Sequence, residues 1–263
     1  MALLLQYDGS VFRGSQRQAS QPTVQEALED AIEALTQRSH RAEFAGRTDA
    51  GVHALGQVAV ISTTKELPRD RWVQGVNHFL PSAVAVQDAR EVPSGFDPRR
   101  DATDRTYHYD VRLAATPQPL RERRAWVFSG GLRLPLMQEA AAQLVGEHDF
   151  ASFCAKPGEA GTVRTLHEVG VQAFPEAGGD RFRFTLRGES FLHHQVRLTV
   201  GQLVRIGLER VEPSTIGRLL AQPEVGQAGP KAPAQGLVLV RVGYRIPELA
   251  DWNDNEDVCT VGR

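Results

Sequence analysis

The sequence predicts an α+β fold in which helices flank a mainly antiparallel sheet. Some segments alternate apolar and polar residues with the two-residue period of a strand, as residues 57–64 and 105–113 do. Others carry apolar residues at helical spacing, as residues 24–35 do. Two predicted strands, 166–174 and 181–187, are joined by a short loop with no helix between them. This mixture of helices and directly connected strands favours the α+β class.

The first half of the chain, residues 1–115, is predicted to contain about four strands and two helices. An opening strand ends at Tyr7. Thr23 starts the first helix, and Glu26 completes a capping box three residues later. Pro68 opens the second helix, at a position where proline is tolerated. The remaining strands of this half are predicted over residues 57–64, 84–92 and 105–113.

The second half, residues 120–247, follows a proline-containing boundary at residues 116–119 and repeats the mixture of helices and strands. Ser190 is predicted to cap a helix that runs through Ile206. The other elements predicted here are helices over residues 136–145 and 213–221 and strands over residues 166–174, 181–187 and 237–242. The polar and acidic segment 248–263 is predicted to be a disordered tail.

The composition is typical of a soluble globular protein, with 41% hydrophobic and 24% charged residues among 263. No stretch approaches the ~18 apolar residues of a membrane span, so we expect no membrane partner. Residues 1–7 are too short for a signal peptide and lack its basic lead. Cys154 and Cys259 match no metal-binding spacing, which fits a reduced, cytoplasmic setting.

The charge pattern favours an anionic partner more than the net charge suggests. The formal net charge is -2, but 27 of the 30 basic residues are arginine. Arginine binds phosphate bidentately and stacks on bases. Because net charge hides the distribution of charges, we predict one arginine-rich face on an otherwise neutral-to-acidic protein. A GC-rich genome would also enrich arginine, and this alternative stays open.

Residues 46–54, with the sequence GRTDAGVHA, form the segment with the clearest chemical content. Gly46 and Gly51 allow backbone turns that other residues resist. Arg47 lies two residues before Asp49, and a nearby guanidinium keeps a carboxylate ionised at neutral pH. An ionised aspartate can act as a nucleophile, a base or a cation partner. An Asx-turn beside a solvated arginine is the alternative, and the loop alone leaves both open.

This segment resembles the hallmark of the TruA-type tRNA pseudouridine synthases, which is GRTDAGVHA. Further motifs of that family follow in the same order along nearly the whole chain. They are Tyr7-Asp8-Gly9, Gly14-Ser15-Gln16-Arg17-Gln18, Thr23-Val24-Gln25, Arg105-Thr106-Tyr107-His108-Tyr109, His148-Asp149-Phe150 with Phe153, Phe191-Leu192-His193-His194-Gln195-Val196-Arg197, and Ala232-Pro233-Ala234-Gln235-Gly236-Leu237. One motif would be a hint, whereas seven in order make a specific resemblance.

The resemblance implies both a fold and an activity. The fold of the family has two similar α+β halves that form a continuous, mainly antiparallel sheet, with an active-site cleft between the halves. The activity is that of an isomerase, which converts uridine to pseudouridine at positions 38, 39 and 40 in the anticodon stem-loop of tRNAs. The family needs no cofactor and no metal. It works as a homodimer, so tRNA and a second copy of the chain are the expected partners.

The resemblance also assigns roles to five residues. Asp49 matches the nucleophile, which attacks the target uridine before the freed base rejoins through C5. Arg47 matches an arginine that enters the RNA stack and helps to hold the target base flipped out. Tyr107 matches a tyrosine against the target uracil, Arg197 a partner of the catalytic aspartate, and Leu237 a leucine that packs against the base. Whether the attack is on the base or on the sugar stays open.

Simpler roles exist for several of these side chains. Arg47 could make only a phosphate contact or an ion pair. Tyr107 could be a core aromatic, which is the commoner fate of a tyrosine on a strand. His193 and His194, together with His53, could suggest a metal site. Because adjacent histidines point to different faces of a helix, we expect no metal there.

Two positions depart from the usual pattern of the family. Ser15 stands where most members carry Trp, and Gln195 stands where most carry Met. The first change affects RNA contact or loop packing, and the second puts an amide on a helix that is normally apolar there. Neither change touches Asp49, Tyr107 or Arg197, so we expect activity to be kept.

Two other classes of function are consistent with parts of the sequence. A non-catalytic RNA-binding module would also carry aromatic residues and arginines on a sheet, but it would have no use for an ionised carboxylate facing RNA phosphate. An aspartyl-nucleophile hydrolase of phosphate esters would need a second carboxylate near Asp49 to hold magnesium. Ala50 and Gly51 supply none.

Overall fold

The computed structural model describes residues 1–176 and 178–253, which form two compact units. The first unit comprises residues 1–105 together with the chain from Val238 onward, and the second comprises residues 106–237. The second unit is therefore an insertion into the first along the chain. The halves proposed from the sequence, residues 1–115 and 120–247, divide the chain at other positions.

Helices and strands are mixed along both units. In chain order the elements are β1 (Ala2–Tyr7), α1 (Val24–Thr36), β2 (Glu43–Phe44), β3 (His53–Val60), α2 (Arg69–Phe79), β4 (Val84–Arg90), β5 (Ala102–Leu113), β6 (Trp126–Phe128), α3 (Leu134–Ala142), β7 (Gly146–Asp149), β8 (Val163–Phe174), β9 (Arg181–Gly188), α4 (Gln195–Gly207), α5 (Thr215–Ala221) and β10 (Leu237–Tyr244). Short 3-10 helices lie at Gly9–Val11, Ala151–Phe153, Ala234–Gly236 and Pro247–Asn253. The α+β class, with a mostly antiparallel sheet flanked by helices, is confirmed.

In the first unit the strand order is β4-β1-β3-β10, and β2 also pairs with β3. β1 runs antiparallel to both β3 and β4, while β10 runs parallel to β3 and places Val238 opposite His53. Helices α1 and α2 pack on each other, and α2 packs on β4. Thr23 is the N-cap of α1 as predicted, because its Oγ1 accepts a hydrogen bond from the Glu26 N–H at 3.2 Å, which is one of the two bonds of the predicted capping box.

In the second unit the strand order is β5-β9-β8-β7, and β6 pairs with β5. Helix α3 packs on β8 and on α4. β9 alternates as a strand with one buried face should: Phe182, Phe184 and Leu186 are buried, and the residues between them are half-buried. Arg183, on the second face, binds both carboxylate oxygens of Asp110 at 2.9 Å. No helix in the described part of the chain is long and apolar enough to cross a bilayer.

Some element bounds differ from those predicted. Helix α4 starts at Gln195 rather than near Ser190, because His194 takes the left-handed conformation with φ 65° and Gln195 Oε1 caps the Leu192 N–H at 2.8 Å. Helix α3 lies earlier than the predicted 136–145, and Gly146, with φ 110°, begins strand β7 instead. Strands β2, β6 and β7 were not predicted, since two to four residues are too few to show a period.

The tail predicted to be disordered from residue 248 is partly ordered. Residues Pro247–Asn253 form a 3-10 helix, in which Leu249 and Trp252 are buried. The Trp252 indole N–H donates to Asp88 Oδ2 at 2.7 Å, and Arg90 binds both carboxylate oxygens of Asp251. Buried apolar side chains and polar contacts to Asp88 and Arg90 thus hold this segment on the first unit. Residues 254–263 lie outside the described residues.

Replacing Trp252 with Ala is expected to lower the free energy of unfolding by about 3 kcal/mol, since a buried indole and its hydrogen bond are both lost. Urea denaturation measures this change. The control is Leu120→Ala, because Leu120 is 96% exposed. The control is expected to change stability by less than about 0.5 kcal/mol. Equal stability of the two variants would show that the 3-10 helix over Pro247–Asn253 does not pack as described.

Candidate functional site

Residues 46–54 follow β2 and run into the first two residues of β3 in the first unit. Their side chains alternate in exposure: Arg47 is exposed, Thr48 is buried and Asp49 is half-buried. Gly51 has φ 82°, and the Val52 N–H donates to the Asp49 carbonyl at 3.1 Å, which closes a turn after Asp49. Among the described residues the Arg47 guanidinium forms neither a hydrogen bond nor an ion pair, so it is available to a ligand.

Thr48 is the residue through which the loop is held from inside. The Thr48 N–H donates to Ser15 Oγ at 2.9 Å, and the Ser15 N–H donates to the Thr48 carbonyl at 3.0 Å. The Thr48 hydroxyl lies 2.8 Å from the Tyr7 hydroxyl. Gly14 lies against the Thr48 carbonyl. A Cβ on Gly14 would be 2.9 Å from the Thr48 carbonyl oxygen, and the φ of Gly14 is 103°. Only glycine allows this approach without strain.

The start of the loop is held by two buried polar side chains. Gln57 Nε2 donates to the Gly46 carbonyl at 2.9 Å. Arg105 Nη2 donates to the Ala45 carbonyl at 3.0 Å and to the Arg99 carbonyl at 2.6 Å. Because buried carbonyls need donors, these bonds both satisfy the backbone and fix its path. Asp49 therefore projects from a braced segment and not from a mobile one.

His53, at the start of β3, supports the neighbouring motif at residues 7–9. Its Nδ1 lies 3.1 Å from the Gly9 nitrogen and 3.2 Å from Asp8 Oδ1, and the ring is 5% exposed. Gly9 must be glycine, because a Cβ there would lie 1.9 Å from the Val52 carbonyl oxygen. The end of the loop and the end of β1 are thus packed backbone against backbone.

Burial raises the pKa of Tyr7 to about 12, against the opposing effect of its hydrogen bonds to Thr48 and Gln57. Because the pKa of Tyr7 is higher in the folded than in the unfolded protein, the stability that the neutral phenol contributes is fully present below about pH 10. It is lost as the pH rises towards 12. We expect the free energy of unfolding of Tyr7→Phe to fall less steeply than that of the wild type over this range, by up to about 1.4 kcal/mol per pH unit. Urea denaturation at several pH values tests this, and equal slopes would contradict it.

Tyr107 lies on β5 in the second unit and is 8% exposed. Its ring packs edge-on against Phe191, with centroids 5.1 Å apart and planes at 85°. Tyr109, two residues on, is fully buried, and its hydroxyl donates to the Pro233 carbonyl at 2.8 Å. Burial also raises the pKa of Tyr109. Tyr109 is therefore a core residue.

Arg197 and Leu237 are linked through one segment of the second unit, residues 232–236. Arg197 is 8% exposed, and its Nε donates to the Ala232 carbonyl at 2.8 Å. The Ala232 N–H donates back to the Arg197 carbonyl at 2.9 Å. Leu237 follows this segment and is 6% exposed. Of the five predicted site residues, the first unit thus carries Arg47 and Asp49, and the second carries Tyr107, Arg197 and Leu237.

The two departures from the family pattern have local explanations. Ser15 supplies the acceptor for the Thr48 N–H, a bond that a Trp side chain cannot make. Gln195 is fully buried and caps Leu192, while its Nε2 has no hydrogen-bond partner among the described residues. The sequence singled out Ser15 and Gln195 but did not predict that Ser15 and Tyr7 hold Thr48. The only sequence signal for that role was that Ser15 and Tyr7 lie in motifs shared with the family.

Comparisons with known proteins agree with the motifs. A family model described as tRNA pseudouridine synthase matches residues 4–99 and 140–245. The chain is 40% identical over 243 residues to tRNA pseudouridine synthase A of Geotalea daltonii, covering 92% of this chain and 98% of that protein. It is 41% identical over 246 residues to the protein of that name from Myxococcus xanthus, covering 93% of this chain and 92% of that protein. The protein of that name from Burkholderia thailandensis is 42% identical over 246 residues, covering 93% of this chain and 89% of that protein. The chain therefore belongs to the tRNA pseudouridine synthase family of isomerases.

Proposed function

We propose that this protein isomerises uridine to pseudouridine at positions 38, 39 and 40 in the anticodon stem-loop of tRNAs, with Asp49 as the nucleophile. The observation that supports this most directly is the intact GRTDAGVHA loop, which presents a half-buried Asp49 from a braced backbone. The relatives of the chain are named tRNA pseudouridine synthase A, a name that supports pseudouridine formation in tRNA as the reaction.

The reaction requires one group that can attack the uridine and then leave. The bond between the ribose C1′ and the base N1 breaks, a bond between C1′ and C5 forms, and the proton on C5 is lost while N1 gains one. Substrate and product are isomers, so the balance needs no oxidant, reductant or second substrate. A carboxylate such as Asp49 can form the covalent intermediate that divides this exchange into two steps.

The target base must leave the RNA stack before it can react. We assign this step to Arg47, which is exposed and has a free guanidinium among the described residues. Tyr107 supplies a phenol that can stack on the uracil and transfer a proton. Leu237 packs against the base, and Arg197 provides the positive charge of the site. The protein is further proposed to act in the cytoplasm as a homodimer that binds one tRNA across both subunits.

The test uses tRNAs that carry uracil labelled with tritium at C5. Three substrates each hold a single uridine at position 38, 39 or 40, with cytidine at the other two, and a fourth holds cytidine at all three. The wild-type protein is expected to release tritium from the first three and not from the fourth, without added metal. Binding of tRNA without release would favour the non-catalytic RNA-binding module. Magnesium-dependent phosphatase activity would favour the hydrolase.

A further inference from the structure

We propose that Ser15 is a positioning residue that fixes the backbone from which Asp49 projects. This inference deepens the proposed function and rests on it. Ser15 lies 33 positions before Thr48, is 1% exposed, and belongs to a loop other than the one that carries Asp49. Its contribution is a pair of hydrogen bonds to one residue, the one immediately before Asp49.

The two bonds act on the two peptide planes that flank the Thr48 Cα. The Thr48 N–H, which donates to Ser15 Oγ at 2.9 Å, belongs to the peptide between Arg47 and Thr48. The Thr48 carbonyl, which accepts from the Ser15 N–H at 3.0 Å, belongs to the peptide between Thr48 and Asp49. Fixing both planes fixes the φ and ψ angles of Thr48, since these are the only soft backbone angles between them. Those angles fix the peptide plane that carries the Asp49 N and Cα, from which the Asp49 side chain extends.

Ser15 can hold Thr48 in place because it is itself attached to helix α1. The Gln25 N–H donates to the Ser15 carbonyl at 2.9 Å, and the Val24 N–H donates to the Gly14 carbonyl at 3.3 Å. These are N–H groups of the first turn of α1, which have no partner within the helix. The side chain of Gln25 adds a bond to the Arg17 N–H at 2.9 Å. The support of Asp49 is therefore a thirteen-residue helix and not a free loop.

Water cannot replace the Ser15 hydroxyl without a change in the loop. Thr48 is 7% exposed, and its own hydroxyl is already bonded to Tyr7. Removing Ser15 Oγ leaves the Thr48 N–H buried without its acceptor. A rotation of the backbone that brings this N–H to another acceptor then lowers the free energy. A displacement of about 1 Å at a reacting group lowers a rate by roughly 100-fold. A rotation at Thr48 moves Asp49 directly, because the two residues share a peptide.

The proposal predicts that Ser15→Ala affects turnover and not binding. We expect kcat for tritium release to fall by about 10- to 100-fold, with KM and the Kd for tRNA within about twofold of the wild type. Ser15→Thr keeps an acceptor oxygen and is expected to recover most of the lost kcat. Thermal unfolding of each variant, with assays well below its Tm, ensures that folded protein is compared.

The matched control is Ser152→Ala in the second unit. Ser152 is fully buried, and its hydroxyl accepts from the Glu224 N–H at 3.2 Å and donates to the Leu219 carbonyl at 2.8 Å. This variant loses a buried hydroxyl that also caps a backbone N–H, so its stability is expected to fall while its kcat stays within about twofold of the wild type.

Three outcomes overturn the proposal. A kcat of Ser15→Ala within about twofold of the wild type would show that the hydroxyl does not position Asp49. Equal losses of kcat in Ser15→Ala and Ser152→Ala would show that only general stability is involved. Absence of tritium release from the wild type would overturn the proposed function itself, and with it this role of Ser15. A loss confined to kcat, seen in Ser15→Ala and reversed in Ser15→Thr, supports it.

Discussion

Asp49→Asn is expected to lower the rate of tritium release by at least about 10⁴-fold, as loss of a catalytic nucleophile does. The amide has nearly the volume of the carboxylate, but it cannot attack the uridine. Because the fold and the other contacts to RNA are kept, the Kd for tRNA is expected to stay within about threefold of the wild-type value. Single-turnover assays with protein in excess over labelled tRNA measure the rate without interference from product release.

The control for Asp49→Asn is Asp30→Asn, which removes one negative charge from the exposed side of α1. Its rate is expected to match that of the wild type, since a solvated charge outside the loop contributes little. If Asp49→Asn kept more than about a tenth of the wild-type rate, Asp49 would not be the nucleophile. If it left the biological function of the protein intact, the RNA-binding module would be the better description.

Tyr107→Phe is expected to lower the rate by about 100-fold or more, because a positioned acid or base contributes roughly 10²- to 10⁴-fold. The variant keeps the ring that packs against Phe191, so the loss reports on the hydroxyl. Tyr107→Leu removes the ring as well and is expected to be slower still. A wild-type rate for Tyr107→Phe together with a low rate for Tyr107→Leu would contradict proton transfer and leave stacking as the role of Tyr107.

Tyr109→Phe is the matched control on the same strand and the same face. It removes the hydroxyl bonded to the Pro233 carbonyl, which is expected to lower the free energy of unfolding by about 1 kcal/mol. Its rate is expected to fall by less than about tenfold, since no proton is transferred there. Equal losses of rate in the two Phe variants would mean that the hydroxyl of Tyr107 is needed only for packing.

Local patterns predicted much of the fold. The start of α1 follows from its N-cap, since Thr23 accepts a hydrogen bond from the backbone only three positions later. The alternation along β5 and β9 follows from the pleat of a single strand. Local patterns failed where a distant contact or an unusual backbone angle decided the outcome. The left-handed His194 delays α4, and the packing of Trp252 on the first unit orders a segment whose composition indicated disorder.

The sequence by itself determined the α+β class, the family and the candidate nucleophile, because residue periods and the GRTDAGVHA motif are contained in short stretches of chain. Only the tertiary structure decided how Asp49 is held. Its support comes from Ser15, Tyr7, Gln57 and Arg105, which reach the loop from four different parts of the chain. Hydrogen bonds depend on distances and angles of a few tenths of an ångström. Spacing along a chain carries no such information, so these contacts became visible only once the chain was folded.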